Sequence, residues 1–501
     1  MATYRTFPLA VERPELFAPV REFLRRASYD DATLCRTLGM RNMSDLGEAR
    51  WDEVPRDELG PALDLCLDLF LLCREVPGER IRDTCGEVVA DALGALGLVR
   101  TTPHDASQCF CPVWLYPVDG FVIASDRRNE PYGDPDEGFE DVVFPAIHIG
   151  ALRLLDVMPD AGGGDALDLC GGAGSGAFRL SRTARSVATS DLTLRAARFA
   201  EFNARLNGLD VDCLRGDLYE PAAGRRFDAI VAHPPYVPAA GSALVYRDGG
   251  DTGEQVTRRV VEGLPAHLKP GGRCAIICMG RDADEGPFER RVRVWLGEAR
   301  DEFDVVFGHE TTLTLDDVID RMRKRDEPVT DGDARAFRDL LMDLGTKQFV
   351  YGALRIERFP SPAPLEPLRL GMSPEATAVD FEPFLAWRRL RREPGLTGRI
   401  GRARPRLAPG VALTGADDAN GRDAEPPVVV SLPAARLGGS LSLEEWAVPL
   451  ISRLDGSLSV DDLFAAAQRS GETPPTITRE DLVDLVARLV DRGLLEPGLA
   501  D

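Results

Sequence analysis

The sequence predicts an α/β protein built on a mainly parallel, helix-flanked sheet, with smaller and mainly helical units at both ends. Three observations predict it. From Asp165 onward short apolar segments alternate with helical stretches, as they do in a parallel sheet with crossover helices. The first such segment runs into the turn Cys170-Gly171-Gly172-Ala173-Gly174-Ser175-Gly176, and glycine is needed where a Cβ would keep backbone from a ligand. At 501 residues the chain exceeds what one hydrophobic core supports.

Residues 1–125 read as a mainly helical, winged-helix-like N-terminal domain. Helical apolar spacing runs through Leu59–Cys73 and Val88–Leu98. Cys111–Tyr116 and Phe121–Ser125 then flank the turn sequence Pro117-Val118-Asp119-Gly120 and form a hairpin. No basic recognition face accompanies it, so its expected task is to wall one side of an active site. Residues 126–360 hold the sheet, with strands expected at Ala166–Cys170, Ser186–Ser190, Phe227–Ala232, Arg273–Met279, Phe303–Gly308 and Gln348–Ile356. Between the last two, an insertion carries two amphipathic stripes: Leu315, Val318, Ile319 and Met322, then Phe337, Leu340, Leu341 and Leu344. They are expected to pack on the sheet edge rather than form a lid. Residues 361–428, rich in Pro, Gly and Arg, read as a linker, Pro409–Pro427 being its flexible part. Residues 429–501 read as a small winged-helix-like C-terminal domain. Trp446, Leu450, Ile451 and Leu454 fit one of its helices; Leu482, Leu485, Val486 and Leu489 fit another that ends at Gly493.

A net charge of −22 repels phosphate backbones at long range, so RNA is a disfavoured partner. A cationic guanidinium or amine would be drawn to such a surface, which also serves solubility. The most apolar run, Leu63–Cys73, contains Asp64 and Asp68 and is too short to cross a bilayer. The first residues lack a secretory pattern and the ten cysteines are scattered, so a cytoplasmic location is expected. Cys109-Phe110-Cys111 has no second pair at ligand spacing, and no metal site is expected.

The chemistry concentrates at the ends of the expected strands. Asp168, Cys170, Gly172 and Gly174 belong to the glycine-rich turn, and the helix after it offers free N–H groups. Asp191 closes the next strand, where a carboxylate accepts both hydroxyls of a ribose. Asp217, followed by Leu218, ends the third strand, where it faces an adenine amino group. The fourth strand ends in His233-Pro234-Pro235-Tyr236. A nucleotide-binding dehydrogenase has no reason to place Pro-Pro-Tyr there.

In this order the motifs resemble the class I S-adenosylmethionine-dependent methyltransferases of the small-domain superfamily, particularly the release-factor glutamine methyltransferase branch and its larger actinobacterial relatives. Tyr246-Arg247-Asp248-Gly249-Gly250, Gly253-Glu254 and Leu268-Lys269-Pro270-Gly271-Gly272 are similar to those larger relatives. The resemblance implies a Rossmann-like seven-stranded sheet and S-adenosylmethionine as cofactor. It also implies methyl transfer to nitrogen of a planar amide, guanidinium or amine in a protein, peptide or amino-acid-like molecule. His233, Pro234 and Tyr236 are the implied catalytic residues. The family's first position is usually Asn, Asp or Ser, whose side-chain oxygen and the first proline carbonyl accept N–H bonds from the acceptor while the aromatic ring stacks on it. His233 departs from that pattern. A neutral imidazole offers one donor and one acceptor, or takes a proton near neutrality. That leaves two alternatives: a small-molecule O-methyltransferase with His233 as base, or a catalytically degenerate cofactor-binding regulatory protein.

The arginines from Arg388 to Arg406 form the one basic segment, expected to dock on the protein's own acidic surface or stay solvated. The C-terminal domain resembles a small winged-helix module appended to some bacterial protein methyltransferases and is expected to be an accessory or partner-binding unit. Behind a linker it should be dispensable for cofactor binding.

Overall fold

The central sheet has nine strands in the computed structural model, which describes residues 7–49, 51, 54, 56–127, 141–238, 245–324, 330–415 and 428–499. In chain order they are β1 (Asp165–Leu169), β2 (Ser186–Asp191), β3 (Asp212–Arg215), β4 (Phe227–Ala232), β5 (Leu268–Ala283), β6 (Phe303–Leu313), β7 (Thr346–Arg358), β8 (Leu368–Met372) and β9 (Leu437–Gly438). Across the sheet the order is β9-β8-β6-β7-β5-β4-β1-β2-β3. β1 to β5 run parallel, and β7 is inserted antiparallel between β5 and β6. The six strand candidates all stand, most of them longer than their apolar runs. The expected seven strands are β1–β7; β8 and β9 widen the sheet at its far edge.

Register sets where the chemistry lies. Leu169 of β1 pairs with Ser190 of β2 and with Ala232 of β4. The turn after β1, Asp191 and His233 therefore leave the sheet at one level, on its carboxyl edge, where open α/β sheets hold their ligands. The helices that frame this edge are α1 (Ile149–Val157), α2 (Ser175–Leu180), α3 (Leu194–Asn207) and α4 (Gln255–His267).

The N-terminal hairpin is Trp114–Val118 paired with Phe121–Ser125. Its turn is only Asp119-Gly120, with φ of 50° and 72°, the left-handed pair of a two-residue hairpin turn. The longer turn expected from Pro117 is thus corrected, as is the start of the first strand. Asn203 and Asn207, one helical turn apart on α3, dock the second hairpin strand. The Asn203 side chain accepts from Ala124 N at 2.8 Å and donates to Ala124 O at 2.9 Å. Asn207 does the same for Val122, at 2.9 and 2.7 Å. Two carboxamides thereby satisfy a sheet edge that no strand covers. One apolar core runs from Phe17 and Phe70 of the N-terminal helices to Phe178 and Phe202.

Residues 361–428 include more than a linker. β8 and the helix α8 (Ala378–Leu390) lie within them, and residues 416–427 of the expected flexible part lie outside the described residues. Trp387 of α8 joins a core with Leu450, Leu463 and Leu489. The basic segment is spent internally: Arg388 pairs with Asp304 at 2.5 Å and Arg389 with Glu357 at 2.5 Å. Arg391 contacts Asp491, and Arg392 lies 3.9 Å over the ring of Phe359. In the C-terminal part, the helix expected around Trp446 is one short turn, Val448–Ile451, with Trp446 at its edge. The helix through Leu482 spans Arg479–Asp491 as expected, and Val460–Ser470 is a further one.

The insertion forms α6 (Leu315–Arg323) and α7 (Asp331–Asp343), preceded by α5 (Phe288–Trp295). Val318, Ile319, Met322, Phe337 and Leu341 are buried, but Leu340 and Leu344 are exposed, so the second stripe is Ala334, Phe337 and Leu341. Its core reaches Met279 and Phe349 of the sheet and the edge of Tyr236.

Candidate functional site

A cleft of about 690 Å³ opens along the carboxyl edge of the sheet, and all ten expected site residues except Gly174 line it. Its first wall is the turn after β1. Gly172 (φ 52°) and Gly174 (φ 94°) are left-handed. A Cβ on Gly172 would meet nothing within 4 Å, whereas one on Gly174 would strike the Phe178 ring at 2.6 Å. Gly172 therefore borders open space and Gly174 serves packing. Cys170 takes φ 55° and Leu218 φ 50°. Such strain in bulky residues clusters at ligand sites.

The carboxylates have distinct tasks. Asp168 is buried and accepts from Ala177 N at 2.9 Å, capping the start of α2. Burial, with the charge of Asp191 adding, pushes its carboxyl up to about 7. Asp191 accepts from Gly172 N at 3.0 Å with one oxygen and from Thr193 N at 3.1 Å with the other, and burial raises its pKa. The Thr193 hydroxyl also donates to the second oxygen at 3.5 Å, so the oxygen that holds Gly172 N is the one with a lone pair to spare. Asp217 stands just beyond β3 and one of its oxygens accepts from Arg259 at 2.7 Å, leaving the other for a base-edge donor. Burial, then Asp191, raises the Cys170 thiol, which stays protonated and lends the wall no charge.

Opposite these lie His233, Pro234 and Tyr236. The protein around the His233 ring and then the neighbouring His148 lower its pKa to about 4. The imidazole is thereby held in its neutral form at physiological pH. Burial raises the Tyr236 phenol to about 12. Its ring packs on Tyr351 with centroids 5.7 Å apart.

Two glycines make room for this end. A Cβ on Gly150 of α1 would come within 2.9 Å of the His233 ring. A Cβ on Gly249 would meet Gly253 O, Pro235 O and the Tyr236 Cα at 2.5–2.8 Å. The Tyr246–Gly253 motif is thus a clamp around Pro-Pro-Tyr, tied by Val237 N to Arg247 O at 3.0 Å and Gly249 N to Val237 O at 2.9 Å. The facing wall, residues 143–148, hangs from the N-terminal part. Ala146 N donates to the Tyr116 hydroxyl at 2.7 Å and Val143 N to Asp126 at 2.9 Å. Asp126 is itself paired with the buried Arg195 at 2.5 Å.

A glycine turn, a carboxylate at the end of β2 and an aromatic far end thus line one cleft. Residues 143–284 match the family model of the methyltransferase small domain. The matched segment runs from the wall before α1 to the end of β5. The chain is 31% identical over 193 residues to the ribosomal protein uL3 glutamine methyltransferase of Bradyrhizobium diazoefficiens, covering 33% of this chain and 60% of the relative. It is 37% identical over 167 residues to the release factor glutamine methyltransferase of Xylella fastidiosa, covering 30% of this chain and 55% of that one. The chain therefore spans little more than half the length of these curated relatives. Among the described residues, no helix is long and apolar enough to cross a membrane and no cluster of potential metal ligands occurs.

The arrangement makes Asp191 a sharp test of the cofactor half. Asp191→Ala removes the diol reader and the acceptor of Gly172 N together. The affinity for S-adenosylhomocysteine should fall roughly 5- to 150-fold, from about 1–3 kcal/mol of unpaired hydrogen bonding. Titration calorimetry measures it, and unchanged affinity would remove Asp191 from the site.

Proposed function

We propose that the protein is an S-adenosylmethionine-dependent methyltransferase that N-methylates an uncharged side-chain amide of a protein, with glutamine the acceptor its relatives' names point to. The carrying observation is that the Pro-Pro-Tyr end of the cleft presents a neutral imidazole, opposite a cofactor wall built from Gly172 and Asp191. When bound, S-adenosylmethionine supplies an electrophilic methyl group on a sulfonium centre. Asp191 holds the ribose, and Asp217 with Leu218 the base. The Pro234 carbonyl and His233 take the acceptor's N–H bonds and aim its nitrogen, and the Tyr236 ring stacks on the planar group. No strong base is required of the protein, because the amide proton leaves once the nitrogen bears the methyl group.

This chemistry suits the site better than O-methylation. A base with a pKa of about 4 is poorly matched to a hydroxyl at neutral pH. The test is transfer of labelled methyl from the cofactor to purified ribosomal protein L3 and to peptide-chain release factor, with fragmentation locating the label. Label on a glutamine supports the reading. Label on a hydroxyl or carboxyl overturns the amide assignment, and no transfer to any cellular protein overturns a protein acceptor and leaves the small-molecule and regulatory alternatives.

A further inference from the structure

Resting on the amide reading, we infer that His148 is a second acceptor-reading residue, so that two imidazoles, His148 and His233, share the task of holding one uncharged primary carboxamide. A carboxamide has a carbonyl that accepts and an NH2 that donates, and fixing it in one orientation takes a partner for each. One asparagine supplies both hands from one end of a side chain. An imidazole cannot, because its two nitrogens lie on different edges of the ring. At His233 the Cε1–Nε2 edge is turned to Gly150, where an added Cβ would lie 2.9 Å away. His233 therefore leaves one hand unfilled.

His148 is near enough to His233 for its charge to be the second cause of the lowered pKa there. It lines the same cleft and is the residue before α1. One residue separates it from Gly150, at most about 7 Å of chain, and a Cβ added to Gly150 would lie 2.9 Å from the His233 ring. The side chain is fixed by an edge contact with Phe144, ring centroids 5.2 Å apart. Among the described residues neither ring hydrogen-bonds to protein; their ring contacts are to Phe144 and Tyr236. Both also lose basicity through burial, so each presents one donor and one acceptor. Phe144, Pro234 and Tyr236 line the cleft beside them, and Gly150 lies against the His233 ring. A carboxamide held between the two rings would recover both of its hydrogen bonds.

The probe is N-acetylglutamine N-methylamide, added to the full-length protein saturated with S-adenosylhomocysteine and labelled with 15N in its five histidines. Single histidine variants assign the ring signals. The ring nitrogens of both His148 and His233 should shift with one common dissociation constant, while His104, His267 and His309 stay in place. In His148→Phe, which keeps a ring against Phe144, the constant should rise about fivefold, the worth of one hydrogen bond. His148→Asn should recover most of it. Combined with His233→Asn, which restores both hands to one side chain, His148→Phe should cost less than about twofold. A shift at His233 alone, or an equal cost of His148→Phe in both backgrounds, overturns the role of His148 and leaves amide methylation standing. Failure of the amide reading shows separately, as label on a non-amide group or no label at all in the transfer experiment.

Discussion

Asp304→Ala is expected to lower the stability of the protein by about 3–5 kcal/mol, the cost of leaving a buried charge without its partner. Asp304 and Arg388 are each only 2% exposed at the side chain, and both Arg388 nitrogens in the pair face the carboxylate. Arg388 also donates to Glu366 O at 2.7 Å and lies 3.8 Å from Asp491. The loss therefore loosens three parts at once: β6, the chain before β8 and the C-terminal helix. Denaturant unfolding should show the drop in midpoint, and Asp304→Asn, which keeps the shape and loses the charge, should fall almost as far. The double change Asp304→Leu with Arg388→Met should recover much of it, since replacing a buried pair by apolar groups is often neutral. A drop below about 1 kcal/mol would mean that Arg388 reaches water or another carboxylate, and the contact would then have the weight of a surface pair. The same contact bears on the tail. Asp491 and Trp387 belong to one corner of the structure, and β9 pairs with β8, so a chain ending near residue 410 uncovers core rather than cutting a linker.

What was legible in the sequence, and what was not, divides along physical lines. β4 and the middle of β5 are near-continuous apolar runs because the sheet is covered on both faces, and such runs can be read directly. β1 and β2 are short and buried but carry polar residues, and were marked by the glycine turn and the helices around them. β3, only four residues long and at the sheet edge, buries none of them, so no apolar period marks it. β8 escaped because Leu368, Leu370 and Met372 alternate over just five residues in a Pro- and Arg-rich stretch, and its neighbours' arginines are buried in ion pairs that composition cannot distinguish from solvated ones. The cofactor half of the site was readable because its residues sit within or just after strands. The acceptor half was readable only in His233, Pro234 and Tyr236. Gly150, Gly249 and His148 come to it through tertiary packing, and the one available signal was the cluster of glycines in the Tyr246–Gly253 motif, which marked close backbone approach without saying to what.

The largest kinetic effect is expected at the acceptor end. Tyr236→Ala should reduce turnover roughly 100-fold or more while cofactor affinity stays within about threefold, because the ring orients an acceptor and misplacement near 1 Å already has an effect of that size. The indirect variant Gly249→Ala should do nearly as much. Its Cβ meets only backbone, Pro235 O at 2.7 Å and Gly253 O at 2.5 Å, so Pro-Pro-Tyr itself has to move. His233→Ala should resemble Tyr236→Ala, and His233→Asn should restore turnover to within about tenfold of the parent, since a carboxamide again offers a donor and an acceptor. The pH dependence separates holding from proton transfer. With its pKa lowered to about 4, His233 is neutral throughout pH 6–8, and kcat/KM should show no limb from it there. The sign for stability follows from the same shift. The unfolded chain binds this proton near the ordinary histidine value and the folded one does not until about pH 4, so stability is lost as pH falls across that interval and is constant above it. A kcat/KM limb near neutrality that disappears in His233→Asn would make the imidazole a base, and the site would then have to be read as one for hydroxyl or carboxyl acceptors. Parental turnover in both Tyr236→Ala and His233→Ala would instead make Pro-Pro-Tyr a structural turn and place the transfer elsewhere in the cleft.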